Sequence, residues 1–207
     1  MVLAALTRSG VRHSWRRWLV ACAGIVLVLR APWFGAPLGT DEGGMAMVAE
    51  NWDPNSPYPY GPYWLDRPPL LVLLYRVAVL AFGDVGLRIL GAIAAVLLVL
   101  IVATLARRLG GEGVGRIAAA LTALLAGSAA IESVFTPGEL LAVVPSAAAM
   151  LCLVLAVRGH RHPHALLAAA GALAVAALLI KQSFGDALAA GAVVLTWLVV
   201  TRRAGLT

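Results

Sequence analysis

Apolar residues dominate the chain in long runs that short polar clusters separate. Six runs have the length and composition of a membrane span, which needs roughly 20 apolar residues. They cover residues 17–34, 89–106, 114–132, 138–157, 165–181 and 185–201. Each is predicted to be a helix, because hydrocarbon cannot satisfy the backbone groups of an open structure, and no barrel-type alternation is visible. The pattern predicts an all-α integral membrane protein with a single transmembrane domain over residues 1–207.

Residues 69–83, "PLLVLLYRVAVLAFG", are apolar but short, and Arg76 lies in the middle of the run. Basic residues collect on the cytoplasmic side of membrane proteins. If 69–83 does not span, eleven of the sixteen basic residues lie on one side with a single acid, Glu112. We therefore predict that 69–83 is an interfacial or re-entrant helix. Both termini are then cytoplasmic, and residues 35–88 form one long outer loop.

Composition supports the membrane class and excludes nucleic acid as a partner. The chain is 61% hydrophobic and 13% charged, whereas soluble domains carry about 25% charged residues. The net charge of +6 comes from short basic clusters between apolar runs, which is typical of cytoplasmic membrane loops. Fifteen Arg against one Lys, with abundant Ala and Gly, is typical of a GC-rich bacterial genome. Cys22 and Cys152 lie inside apolar runs and are interpreted as small hydrophobes.

Half of the acidic residues lie in residues 39–71, "GTDEGGMAMVAENWDPNSPYPYGPYWLDRPPLL". Thr40 could cap a short surface helix, with Asp41 and Glu42 in its first turn. These acids are either a simple helix cap or part of a ligand site, which Gly43 and Gly44 would leave open. The Tyr and Trp rings that follow either stack on a sugar or anchor the loop among lipid headgroups.

The cations and the later acids also have two interpretations each. Arg67 either pairs with Asp66 or binds a phosphate, which suits its planar donor fork. Lys181 either extends to the membrane edge or faces an anionic lipid head. Glu132 ends the third span and Glu139 starts the fourth, where Glu139 could bind a metal or contact Asp41. "GGEGVG" at 110–115 follows no strand, so it predicts a flexible cytoplasmic loop and not a phosphate cradle.

The acidic pair after the first span, the Tyr-rich loop, "DRPPLL" and "GLRILGAI" occur in an order that resembles the amino-terminal half of the GT-C membrane glycosyltransferases. The protein O-mannosyltransferase and aminoarabinose-transferase branch is the most similar. The family's positions are matched by Asp41, Glu42, Arg67, Pro68, Arg88 and, in a "KQS" element, Lys181 and Gln182. The resemblance covers residues 15–201.

The resemblance implies transfer of a hexosyl or pentosyl group from a polyprenyl-phosphate carrier to a glycan, lipid or protein acceptor on the outer membrane face. It implies Asp41 as general base with Glu42 beside it. The expected carrier-phosphate ligands are Lys181, Arg67 and Arg88. The expected acceptor or sugar contacts are Tyr60, Tyr63, Trp64 and Gln182. A divalent cation between Asp41 and Glu139 is compatible with this chemistry but is not required.

Members of that family usually run to several hundred residues, so we expect this chain to correspond to a truncated form. Two other functions stay open: a transporter or flippase of lipid-linked sugars, and an inactive scaffold that binds lipid. Transporters carry charged residues near the membrane midplane and often show internal repeats. Here the charges cluster at the outer edge and no convincing repeat is visible, which favours an interfacial enzyme.

Overall fold

The computed structural model describes residues 2–63, 65–132, 134–159 and 161–203, with side chains from residue 14 to residue 201. Over these ranges the chain is helical and contains no strand, which confirms the all-α prediction. The helices are α1 Val2–Arg30, α2 Thr40–Glu50, α3 Pro69–Phe82, α4 Asp84–Ala126, α5 Gly138–Val157, α6 Pro163–Ile180 and α7 Asp186–Arg203. Short 3-10 turns cover Ala31–Trp33 and Ala129–Ile131.

Three of the described helices are long and apolar enough to cross a membrane, namely α4, α5 and α6. The apolar helices Pro69–Phe82 and Asp186–Thr201 are shorter. This confirms a membrane protein, while the number of spans and their orientation stay predictions. Two helix ends differ from the bounds predicted for the spans. The first helix ends at Arg30, just before Pro32, and the helix expected to reach residue 132 ends at Ala126, where Gly127 packs against Leu29.

The 43-residue helix α4 is a hairpin and not one rod. Gly111 has φ 87° and ψ −177°, a conformation that essentially only glycine adopts. Beyond it the chain runs back, so that a Cβ on Gly115 would lie 2.8 Å from the Cβ of Arg107. We call residues 84–110 the first arm and residues 112–126 the second arm. Residues 110–115, where a flexible loop was expected, instead form a tight turn at Gly111. Glu112, just after the turn, pairs with both Arg107 and Arg116 and so links the two arms.

Helix α1 packs against both arms of the hairpin. The Trp18 indole nitrogen donates to the carbonyl oxygen of Arg116 at 3.0 Å, and Arg30 donates to that of Ala126 at 3.0 Å. Between these ends Cys22 and Val26 are buried against small side chains of both arms. Those small residues are Ala95, Ala103, Ala119 and Ala123. Small residues let helix backbones approach closely, which is how helices associate where water supplies no hydrophobic force.

Basic and acidic residues gather at opposite ends of the bundle. At one end Arg107 and Arg116 share Glu112, and Arg158 donates to the carbonyl oxygen of Arg108. At the other end lie the starts of α2, α4 and α5, where most of the described acidic side chains are found. We call the first the basic end and the second the acidic end. The charge separation inferred from sequence therefore exists in three dimensions.

Helix α3 lies across the acidic end. Leu71 lies beside Gly138, the Tyr75 hydroxyl donates to the Thr136 carbonyl oxygen at 2.5 Å, and the Ala78 carbonyl lies where a Cβ on Gly86 would be. Residues 86 and 138 belong to the starts of α4 and α5, and residue 136 lies just before α5, so α3 does not run along the bundle. Its depth in a membrane stays a prediction.

We expect Gly111→Ala to lower the free energy of unfolding by about 1–3 kcal/mol, because an alanine is strained at this φ and ψ. Thermal unfolding in detergent, followed by circular dichroism, measures the change. Gly113→Ala is the matched control, since a Cβ there meets nothing within 4 Å and its backbone is helical. Equal melting temperatures for the two variants would contradict a glycine-specific turn at 111.

Candidate active site

The site begins at the amino terminus of α2. Gly39 is the cap residue, with extended backbone, and its N–H donates to Oε2 of Glu42 at 3.3 Å. The predicted cap, Thr40, is instead the first helical residue. Asp41 and Glu42 follow in the first turn, where the positive end of the helix dipole stabilises their charge.

Glu42 and Arg88 form a buried ion pair at the centre of the acidic end. One guanidinium nitrogen of Arg88 donates to both Glu42 oxygens, at 2.8 and 2.9 Å. The two side chains are only 5% and 2% exposed. The Thr136 N–H donates to Oε1 of Glu42 at 2.5 Å, and the second Arg88 nitrogen donates to the Pro37 carbonyl oxygen at 3.0 Å. This pair therefore joins α2, α4 and the segment before α5.

Residues 127–132 and 134–137, which we call the clamp loop, are held by further contacts. Arg30 donates to the Phe135 carbonyl oxygen at 2.9 Å, and the Thr136 hydroxyl donates to that of Leu87 at 2.7 Å. Any Cβ on Gly91 would overlap both Arg30 and Thr136, so only glycine leaves room for them. Burial, and then the charge of Glu42, raise the pKa of Tyr75, which keeps its hydroxyl protonated as a donor to Thr136.

A polar cavity of about 360 Å³ opens between the start of α2, the clamp loop and the end of α6. Its charged lining residues are Asp41, Glu42, Arg67, Glu132, Glu139 and Lys181. The Asp41 side chain is exposed and makes no hydrogen bond or ion pair with any described residue. Asp41 and Glu42 are neighbours in sequence, yet the Asp41 carboxylate is free in the cavity, whereas the Glu42 carboxylate at the cavity wall is buried and paired with Arg88.

Two cations face this cavity, and each has an acidic partner. Lys181 follows the last residue of α6 and pairs with Glu139 in the first turn of α5. Arg67 pairs with Asp66 at 2.9 Å, and these side chains are 34% and 59% exposed. Both cations remain accessible from the cavity, so an anion could replace either carboxylate.

The structure brings together some of the predicted site residues and separates others. Asp41, Arg67 and Lys181 share the cavity, whereas Arg88 does not line it because its guanidinium is enclosed by Glu42 and Phe135. That placement favours a positioning role for Arg88 over contact with a phosphate. Gln182 is exposed but lies outside the cavity lining.

Of the three predicted ring contacts, Tyr60 and Tyr63 differ in placement and Trp64 lies outside the described residues. Tyr60 is buried, and its hydroxyl donates to the Arg67 carbonyl oxygen at 2.5 Å. Burial raises the pKa of Tyr60, so this donor also stays protonated. Tyr63 is exposed and is available to a ligand.

Glu132 is a cavity residue with an unusual backbone. Its φ of 56° puts it in the left-handed region, and it is the one non-glycine residue there among those that the structure describes. Strained residues of this kind cluster at ligand sites. Glu132 and Glu139 both reach the cavity, but Glu139 is paired with Lys181.

The described residues do not fit a metal centre. No group of three or more His, Cys, Asp or Glu side chains within them could hold an ion. Asp41 and Glu139, the two predicted ligands, both line the cavity, but the Glu139 carboxylate contacts Lys181.

An apolar groove of about 460 Å³ adjoins the polar cavity. It lies between the hairpin α4 and α5, and Leu98, Leu125 and Leu140 are among its lining residues. Pro137 and Glu139 line both the groove and the cavity. An amphipathic ligand could therefore place its polar head in one and its apolar chain in the other.

The family described as dolichyl-phosphate-mannose-protein mannosyltransferase matches residues 66–206, more than half of the chain. The protein belongs to this family. The match confirms the resemblance to GT-C mannosyltransferases and identifies the chain as a membrane glycosyltransferase of mannosyltransferase type. No curated protein and no solved structure matches the chain. The matched range of this mannosyltransferase includes Arg67, Glu139 and Lys181 but begins after Asp41 and Glu42.

We expect Arg88→Met to lower the free energy of unfolding of the mannosyltransferase by about 3–5 kcal/mol, because it leaves the Glu42 carboxylate buried without its counter-charge. Arg67→Met is the control, since a half-exposed pair contributes about 0–1 kcal/mol. Chemical unfolding in detergent, followed by circular dichroism, compares the two. A mild effect at Arg88 would show that the pair does not hold the acidic end together.

Proposed function

We propose that this mannosyltransferase moves a sugar from a polyprenyl-phosphate carrier to an acceptor hydroxyl at the outer face of the membrane. One observation carries the proposal: a cavity with a free carboxylate and two accessible cations joins an apolar groove at Glu139. These three features are complementary to the three parts of a lipid-linked sugar, namely a hydroxyl-bearing sugar, an anionic phosphate and a long apolar chain.

In this proposal the groove and the cations bind different parts of the carrier. The polyprenyl chain lies in the groove between α4 and α5, whose described lining is mostly Leu, Val and Ala. Its phosphate then lies near Glu139, within reach of Lys181 and Arg67. The guanidinium of Arg67 suits a phosphate because its planar donors match two oxygens at once. The compact charge of Lys181 binds it as a point charge.

Asp41 acts as the general base. It takes the proton of the acceptor hydroxyl while that oxygen attacks the anomeric carbon of the sugar. The bond from that carbon to the phosphate oxygen breaks, and its electron pair leaves with the polyprenyl phosphate. Attack opposite the leaving group inverts the anomeric centre. Lys181 and Arg67 stabilise the charge that grows on the departing phosphate.

Glu42 and Arg88 position this machinery without touching the reacting atoms. Glu42 is one residue from Asp41, and its bonds to Arg88 and Thr136 fix the first turn of α2. A base that is held in place does not have to be reoriented during the reaction, which is the advantage of preorganisation. The charge asymmetry of the bundle supports an outward-facing acidic end, with both termini in the cytoplasm.

We expect Asp41→Asn to lower sugar transfer by about 10²–10⁴-fold, since a positioned base typically contributes that much. The assay uses liposomes that contain the protein and a panel of radiolabelled polyprenyl-phosphate sugars. Glu50→Gln is the control, because Glu50 is an exposed acid at the far end of the same helix. Melting temperatures of both variants establish that they fold. Equal transfer by Asp41→Asn and the wild type would remove Asp41 from the mechanism.

We expect Lys181→Met to lower the rate of transfer by about 10²–10³-fold, the usual effect of losing one group that stabilises transition-state charge. Lys181→Arg should keep part of the rate, because it keeps the charge. Arg108→Met is the control for a lost cation, since Arg108 is exposed at the basic end. A rate that falls equally in the Lys181 and Arg108 variants would indicate a general charge effect.

A further inference from the structure

A second hollow lies on the outer loop, outside the polar cavity. It has a volume of about 350 Å³, within the range of small-molecule sites. Its lining residues are Tyr58, Pro59, Tyr60, Pro62, Tyr63 and Leu65. We call it the aromatic hollow. From its geometry we propose that it binds a neutral saccharide, which serves as the acceptor of the transfer.

The shape and chemistry of the hollow suit a sugar. Tyr58 and Tyr63 expose 66% and 40% of their surfaces, and neither hydroxyl has a hydrogen-bond partner among the described residues. Each therefore offers an apolar ring face together with a free polar group, as a pyranose or furanose does. Pro59 and Pro62 restrict the backbone between the rings, so less conformational entropy is lost when a ligand binds.

The loop that carries the hollow is anchored to α2. Gly61 has φ 83°, and a Cβ there would lie 2.8 Å from the Asn51 carbonyl oxygen. Tyr60 packs edge-on against Trp52, with ring centroids 5.7 Å apart. Tyr60 and Gly61, at the centre of the segment that lines the hollow, are therefore held in place by the residues that end α2.

The charges near the hollow favour a neutral ligand over an anionic one. Asp66 and Asp53 are both exposed close to it, Asp66 next to Leu65 and Asp53 beside Gly61. Asp66 is paired with the neighbouring Arg67, so its charge is balanced, whereas Asp53 forms no ion pair with any described residue and would repel the phosphate of an anionic lipid headgroup. Both carboxylates can accept hydrogen bonds from sugar hydroxyls, which favours a saccharide over an anionic headgroup.

The hollow is connected to the catalytic cavity through one contact. Tyr60 lines the hollow, and its hydroxyl donates to the carbonyl oxygen of Arg67, which lines the cavity. A chain of two or more sugar units seated on the rings could therefore extend past Arg67 toward Asp41. The assignment of this saccharide as the acceptor rests on the proposed function, whereas saccharide binding itself does not depend on it.

Binding is tested on the purified full chain without any donor, so that no transfer occurs. Saturation-transfer-difference NMR in detergent uses three probes: mannotetraose, arabinotetraose and a threonine-containing heptapeptide. We expect a tetrasaccharide to bind, and Tyr58→Ala and Tyr63→Ala each to weaken it by roughly two- to tenfold, the range for one aromatic contact. Phe82→Ala is the matched control, because Phe82 is also 66% exposed but lies on α3 outside the hollow.

Binding of the peptide but of neither saccharide, or saccharide binding that the Tyr variants do not weaken, would overturn the inference and leave the proposed function standing. A parallel transfer assay separates the two further. There the Tyr variants should raise the KM for the saccharide acceptor and leave the KM for the polyprenyl-phosphate sugar unchanged. If the wild type binds a saccharide but transfers no sugar from any polyprenyl-phosphate donor, the result would support the saccharide site and overturn the proposed function.

Discussion

The buried ion pair between Glu42 and Arg88 is the interaction on which the acidic end of the molecule depends. Taking two charges out of water is unfavourable by several kcal/mol per ion unless their remaining hydrogen bonds are also made. Here the Thr136 N–H and the Pro37 carbonyl oxygen make most of them, and within the described residues only Nε of Arg88 is left without a partner. A single carboxylate thereby fixes the relative positions of α2, α4 and the clamp loop, and any movement of one would leave a charge unpaired.

This arrangement gives two adjacent acids different tasks. Successive residues of an α-helix point about 100° apart, so neighbours face different surroundings. Glu42 faces the arginine inside the protein, and Asp41 faces the cavity. Because the contacts of Glu42 hold the first turn of the helix rigid, Asp41 is held in a defined position. A flexible outer loop with the same composition would present both acids to water and would hold neither at a defined distance from a substrate.

Local sequence pattern predicted the helices well because burial in hydrocarbon is a property of each run by itself. The same holds for the separation of basic and acidic ends. The contacts of the clamp loop could not be predicted, since Arg30 and its acceptor on Phe135 are 105 residues apart. An arginine that opens a span looks identical in sequence whether it faces a ligand or an inward glutamate, so Arg88 was expected to bind phosphate. The tight turn at Gly111 was likewise hidden, because "GGEGVG" is equally typical of a mobile loop.

The pairing of Lys181 with Glu139 has a consequence for turnover under the proposed chemistry. Once the sugar has been transferred, the polyprenyl phosphate carries more negative charge than the substrate did, and an isolated lysine would retain it. Glu139 lies where the cavity meets the groove and competes for the same ammonium group. The carboxylate thus acts as an internal substitute for the spent carrier, which lowers the free-energy cost of product release and returns the lysine to a neutralised resting state.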